Sequence, residues 1–367
     1  MPAHDRPAVR PPKSIGGIPM PSTATRRRHP RLYCIKKRKT WMLGTRLGMT
    51  SQRLRPLVAG TLICALALAA SAATAGAQTY GFATLQPGTL NHTTASAIAK
   101  VLKEKAGLNV LVQPTAGDQV IVPMIARDEA EIGISNAMEV HDGLAKGFKD
   151  LRIIAAAHAL RVGFFVRKDG DIRTVADLKG KRVPYGFSAM RALEPTVRAI
   201  LATAGLTEKD IKPVLVPNVI RSADDFVSGA ADAFYFAFGA PKVREVDATV
   251  GGIRMTEINE QGMPSARKIE RWGYLTEVNP GPVFVGVEKP MKIYSFDNLL
   301  FTSAKTSDDF VYKMLDTLLN NKDELVAVQP VLREFSAPFA YKQYEVGYHP
   351  GAVKYFNEHN VAPKALD

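Results

Sequence analysis

Residues 177–212 read DLKGKRVPYGFSAMRALEPTVRAILATAGLTEKDIK, and this stretch decides the fold. Arg182–Gly186 reads as a strand. Gly186-Phe187-Ser188-Ala189-Met190 is a turn of mostly small residues. Arg191–Ala204 then places Leu193, Val197, Ile200 and Leu201 on one helical face and stops at Gly205, a residue suited to a left-handed C-cap. Strand, tight turn and helix together make one unit of a parallel sheet with helices packed on it.

The same alternation continues outward. Upstream, Thr93–Lys105 reads as a helix with Ile98, Val101 and Leu102 on one face, and Leu108–Gln113 as a strand. Asp118–Arg127 reads as a helix that Pro123 would kink. Ala130–Ser135 is an expected strand, Ala137–Lys146 a helix, Arg152–Arg167 one or two largely apolar strands, and Thr174–Leu178 a short helix. Downstream, Val214–Val216 reads as a strand and Ser222–Ser228 as a helix capped by Ser222. Ala233–Phe238 is a strand, Pro241 opens a helix at its first turn, Ile293–Ser303 is a strand, and 307–336 is helical. No internal repeat or low-complexity linker interrupts this order.

The formal net charge of +13 could suggest a polyanion partner, but its distribution argues otherwise. Residues 1–77 hold 14 Lys and Arg against one acid, Asp5, leaving 34 basic and 34 acidic residues in the rest. A neutral body with no basic stripe does not call for nucleic acid. From Met49 the chain reads MTSQRLRPLVAGTLICALALAASAATAGAQ. Arg53 and Arg55, the apolar run Leu57–Ala70 and the small residues Ala75-Gly76-Ala77 form the three parts of a secretory signal peptide over 49–77, with cleavage expected before Gln78. The basic, Pro-rich residues 1–48 read as a disordered extension or a mis-assigned start. Both cysteines, Cys34 and Cys64, precede Gln78, so the remainder can form no disulfide, thiol nucleophile or Cys-ligated zinc site. The histidines at 92, 141, 158, 349 and 359 show no metal spacing, and no cofactor motif follows position 77.

In doubly wound sheets ligands sit beyond the carboxyl ends of the strands. Five turns there are short and rich in Gly or small polar residues: Gly88–Asn91, Thr115–Asp118, Ser135-Asn136, Gly186–Met190 and Phe238–Pro241. Each offers backbone N–H groups at a helix start, which favour an anion.

Asp177–Lys212 resembles the second lobe of periplasmic binding proteins, and the chain as a whole resembles the TAXI family of solute-binding proteins of TRAP transporters. PTAGDQVIVPMIARDEAEIGISN (114–136), SADDFVSGAADAFYFAFGAP (222–241) and YHPGAVKYFNEH (348–359) carry the likeness in order. The resemblance implies an α/β, two-lobed, type II-like Venus-flytrap fold with two hinge-crossing strands, near 155–167 and 290–303. Lobe 1 is expected over 78–160 and 295–367, and lobe 2 over 161–294. It further implies a monomer in the periplasm that is not an enzyme. Such a protein would capture a small organic anion, an amino-acid-like or dicarboxylate-like carboxylate, and deliver it to a TRAP-type permease driven by an ion gradient. The loops depart from the family: Gly88-Thr89-Leu90-Asn91-His92 replaces a Gly-Gly pair followed by aromatic residues, Thr115-Ala116-Gly117-Asp118 replaces Thr-Gly-Gly-Ser, and Phe187-Ser188-Ala189-Met190 replaces Gly-Ser-Gly. Phe187 and Met190 point to a more apolar pocket.

The expected ligand contacts are Asn91, Thr93, Thr115, Asn136, Arg161, Phe187, Ser188, Met190, Phe238 and Gly239. Arg161 interrupts the apolar run IIAAAHALRVGFFV, an expensive place for a guanidinium unless it is paired, either with a ligand carboxylate or with a protein acid across the hinge. Arg191 at a helix start is the second candidate cation. Two other function classes compete. One is a serine hydrolase with Ser188 in a degenerate nucleophile elbow, in which Met190 replaces the last Gly and His349 would be the base. The other is a periplasmic sensor that binds the same ligand.

Overall fold

The computed structural model describes residues 78–366. The expectations for the 1–48 extension and the 49–77 leader lie outside the described residues. The strands are β1 (Thr79–Thr84), β2 (Asn109–Pro114), β3 (Ile132–Asn136), β4 (Leu151–Arg167), β5 (Arg182–Tyr185), β6 (Lys212–Leu215), β7 (Phe234–Ala237), β8 (Ile253–Met255), β9 (Tyr274–Val278) and β10 (Met291–Ser303). Interleaved helices are α1 (Leu90–Ala106), α2 (Asp118–Ala126), α3 (Ala137–Ala145), α4 (Leu193–Ala202), α5 (Val219–Val227), α6 (Pro241–Val250) and α7 (Met263–Ile269). After β10 follow α8 (Asp308–Asn320), α9 (Lys322–Val328), α10 (Ala337–Ala340) and α11 (Pro350–Glu358).

Two strands are much longer than the others. β4 and β10 pair antiparallel from Val162↔Tyr294 to Leu151↔Ser303. At one end β10 also pairs with β3, which joins β1 and β2 in parallel. At the other end β10 pairs with β9, while β4 pairs with β7 and β8. The parallel pair β5–β6 meets the entry of β7 where Asp232 N donates to Arg182 O. The result is the expected two-lobed α/β fold with two crossing strands. β10 leaves β9 after Ser295 and joins β3 at Asn298, so it passes between lobes at Phe296 and Asp297. Cores lie on both sides: Phe82, Ile98, Leu300 and Met314 in one cluster, Phe164, Ile200, Phe226 and Phe234 in another.

Local chemistry sets the element boundaries. Thr89 caps α1, its Oγ1 accepting from His92 N, and Gly107 closes it in the left-handed region at φ 67°. The helix expected from Ser222 starts instead at Val219. Asn218 is the cap, accepting from Arg221 N, and the Ser222 hydroxyl accepts from Tyr235 N, tying α5 to β7. The helical stretch 307–336 is two helices and a 3-10 turn (Pro330–Glu334), broken at Asn321 and at Pro330. α2 runs through Pro123.

The lobes meet at their strand-end loops. Lys242 N donates to Gly88 O at 3.2 Å. Gly117, between β2 and α2, lies so close to the Ala189 carbonyl between β5 and α4 that a Cβ there would collide with it. Gly117 has extended backbone, φ 176°, so the constraint is contact and not conformation. Gly117→Ala should therefore leave both lobes folded and hold them apart. Small-angle scattering should show a larger radius of gyration for this variant than for wild type under identical conditions.

Candidate functional site

Between the loops of the two lobes lies a cavity of about 40 Å³, partly open to solvent, to which β4 also contributes. From the first lobe it is lined by Leu85, Thr89, Leu90 and Asn91 of the β1–α1 turn, Asp118 of α2 and Asn136 at the end of β3. β4 contributes Leu160 and Val162, and the second lobe contributes Met190, Leu193, Val219 and Tyr235–Ala237. Among the expected contacts, Asn91, Asn136 and Met190 are on this lining. Asn136 also caps α3, its Oδ1 accepting from Glu139 N at 2.8 Å. Asn91 Oδ1 accepts from Asn298 Nδ2 at 3.0 Å, and Asn298 in turn contacts the buried His158.

The other expected contacts are used elsewhere. Thr93 accepts from Gln329 Nε2 at 2.6 Å, and the Thr115 hydroxyl donates to Gly117 O within its own turn. Phe187 is a core residue, its ring edge-on to Tyr235 at 5.7 Å, with backbone in the left-handed region at φ 37°. Ser188 is exposed, and its backbone N–H is bonded to Val216 O. Phe238 packs on Phe165 and Phe284. Gly239, at φ 81°, abuts Val331 and Leu90. Arg191 is exposed and is not on the lining.

Arg161 is the main correction. Side chains alternate along a strand, so Leu160 and Val162 face the cavity and Arg161 faces away. Its guanidinium is paired with Glu334, whose other carboxylate oxygen accepts from Ala159 N at 3.1 Å. Arg161 also lies over the Phe284 ring, 5.7 Å from its centroid. It lines a separate 440 Å³ cavity with Glu334, Tyr274 and Lys342. Of the two partners open to it in sequence, the structure supplies the protein acid.

What sequence reading missed is Asp118. Its residue is 1% exposed, and one carboxylate oxygen accepts from Ser135 Oγ at 2.6 Å. Burial pushes its pKa up to about 6, against the pull of the hydrogen bonds. The neighbouring Glu139 is pushed up to about 7 by burial and by the charge of Asp118, with Asp142 adding to the rise and Lys146 opposing it. The lining contains no lysine or arginine among the described residues. Asp118 belongs to the turn where the sequence departs from Thr-Gly-Gly-Ser, and that departure was the available signal.

The family comparison matches residues 82–359, a stretch that takes in both lobes. The chain belongs to the NMT1-like family. Among curated proteins, this NMT1-like chain is 25% identical over 132 residues to a Haemophilus influenzae protein named for thiamine biosynthesis. That match covers 35% of this chain and 41% of the relative, less than half of its length. Among solved structures, PhnD1 of Prochlorococcus marinus, determined with methylphosphonate, superposes with a TM-score of 0.49 at 11% identity, covering 78% of this chain and all of that one. The periplasmic aliphatic sulphonate binding protein SsuA of Escherichia coli gives 0.42 at 14% identity, covering 77% and 83%.

Two outcomes follow for this NMT1-like protein. An acid whose folded pKa is raised holds its proton longer in the folded state, so its ionisation removes stability as pH rises from about 4 to above the folded value. His141 and His158, each held near 4 by burial, act in the opposite sense over the same range and mask the slope in wild type. Asp118→Asn should therefore gain stability over wild type progressively between pH 4 and 7, by up to about 3 kcal/mol, in denaturant titrations at several pH values. Arg161→Met should lose about 1–3 kcal/mol, below the full penalty for a buried pair because the Glu334 side chain is 30% exposed. Adding Glu334→Gln should restore part of that loss, which chemical denaturation of the two variants will show.

Proposed function

We propose that this NMT1-like protein is a periplasmic solute-binding protein that captures a small molecule between its lobes and delivers it to a TRAP-type permease. The observation that carries the reading is the cavity between the lobes. It lies between two lobes connected through β4 and β10, and the nearby contacts between lobes, Gly117 against Ala189 and Gly88 against Lys242 at the start of α6, involve strand-end loops and a helix start. Such contacts can part by rotation about crossing strands without breaking a core. The hinge breakpoints are proposed at 160–161 and 294–295. The secretory pattern over 49–77 supports export, and the TAXI-like stretches support a permease driven by an ion gradient. A small organic anion, the class expected from sequence, would meet helix N-termini on this lining and no basic side chain, since Arg161 is bound to Glu334.

Binding is favoured over hydrolysis by the state of the two residues a hydrolase would use. Ser188 is exposed to solvent, and His349 is fully buried as the cap of α11, its Nδ1 accepting from Gly351 N and its Nε2 bonded to Thr306 O.

The full chain, purified and then denatured, should release a stoichiometric small molecule detectable by mass spectrometry. Added back at a hundredfold excess over its dissociation constant, that molecule should stabilise the protein by about 2.7 kcal/mol. In cells, collapsing the ion gradient should stop its uptake while depletion of ATP alone should not. A chain that releases nothing and whose melting no solute shifts would overturn the reading; uptake that survives deletion of the protein would move it to the sensor class.

A further inference from the structure

We infer that the cleft takes a solute bearing a protonated nitrogen, with the Asp118 carboxylate as its counter-charge. The inference rests on the solute-binding reading and names the chemistry of the same site. A carboxylate removed from water needs a cation, several donors or a proton. Asp118 is 1% exposed and lines the cavity, yet Ser135 is the one side chain that donates to it, and no described lysine or arginine pairs with it. Lys146, the cation beside the neighbouring Glu139, is engaged with that residue at 3.8 Å. The position of Asp118 in the first turn of α2 supplies only a partial positive charge.

A second observation points the same way. Tyr235 also lines the cavity, from the opposite lobe, and its buried hydroxyl has no hydrogen-bond partner among the described residues. Just behind the lining, Asn298 gives its amide N–H to Asn91 while its buried Oδ1 is unpartnered. A neutral phenol both donates and accepts, while the Asn298 amide oxygen and the Asp118 carboxylate only accept, so more than one element offers an acceptor to a cation. An ammonium group carries three donors and a positive charge, and both the Asp118 carboxylate and the Tyr235 oxygen on the lining can accept from it. A carboxylate solute would bring more acceptors and a like charge beside Asp118. Elsewhere on the lining Leu85, Leu90, Leu160, Val162 and Leu193 form an aliphatic part that suits a short hydrocarbon portion.

The test uses the full chain and three probes with one carbon skeleton: n-butylamine, n-butyrate and n-butanol, followed by thermal shift and calorimetry. Butylamine should raise the melting temperature of wild type and butyrate should leave it unchanged. Asp118→Asn should weaken butylamine at least tenfold without melting lower than wild type in the absence of ligand. Tyr235→Phe, which removes only the hydroxyl, should weaken it less. Butyrate binding as tightly as butylamine, or butylamine affinity unchanged in Asp118→Asn, overturns the inference and leaves the solute-binding reading in place. If no probe binds and no molecule co-purifies, both fall. The comparison of amine with carboxylate on wild type decides the matter even where a variant folds poorly.

Discussion

Antiparallel pairing of β4 with β10 is the constraint on which the other features depend. The two strands keep one register across the lobe boundary, from Val162↔Tyr294 to His158↔Asn298, and shift only beyond it, so the alternation of their side chains sorts residues onto two faces there. Leu160 and Val162 go to the cavity. Their neighbour Arg161 and its cross-strand partner Ser295 share the opposite face, together with Asp297 and Ala159. A slip of one residue would exchange the two sets and turn a guanidinium toward the cavity in place of Leu160 and Val162.

The face turned away from the cavity is where the charges are handled, and the C-terminal segment handles them. Arg161 meets Glu334 from the turn that follows α9. Asp297, at the point where β10 passes between lobes, is buried and accepts from Lys342 Nζ at 2.8 Å, Tyr274 OH at 2.7 Å and Tyr344 OH at 2.5 Å. Lys342 also sits 3.9 Å from the centre of the Phe339 ring. Tyr274 comes from β9 of the second lobe, while Lys342 and Tyr344 come from the chain that closes the first. Both crossing strands are thus fastened, on the same face, to one returning segment.

The alternation around Asp177–Lys212 made the α/β class legible, because long apolar runs and helical spacing are local signals; the two crossing strands were expected from the family resemblance. β4 stood out through its length and β10 through its composition. β1, β8 and β9 did not, since TYGFAT, IRM and YLTEV are short and gain their strand character from the neighbours they pair with. The site was legible only as a set of loops. Asn91, Asn136 and Met190 reach the cavity, but Thr93 and Phe238 lie one or two positions away on the wrong face of their elements, and parity of that kind requires the register. Arg161 drew attention because its charge is costly, and cost alone cannot say which carboxylate offsets it. Asp118 was the quieter signal: an acid in a turn looks like an ordinary helix start until its burial is known.

The position of β10 has a consequence for how the chain assembles. β3 and β4 are close in sequence, yet in the sheet they are separated by β10, which is made far later in the chain. Until β10 arrives, β3 and β4 are adjacent open edges, and β4 from Leu151 to Phe165 is almost wholly apolar. Contacts between such distant segments form slowly, because the loop between them must be closed first. The pairing of the central strand with β3 and β4 thus waits on the closure of long loops. Before that moment the exposed edges invite pairing with the wrong partner, including another copy of the same intermediate. Loss of any feature that holds β10 in place, such as the cluster around Asp297, would show first as aggregation during refolding, before any change in the finished protein is measurable.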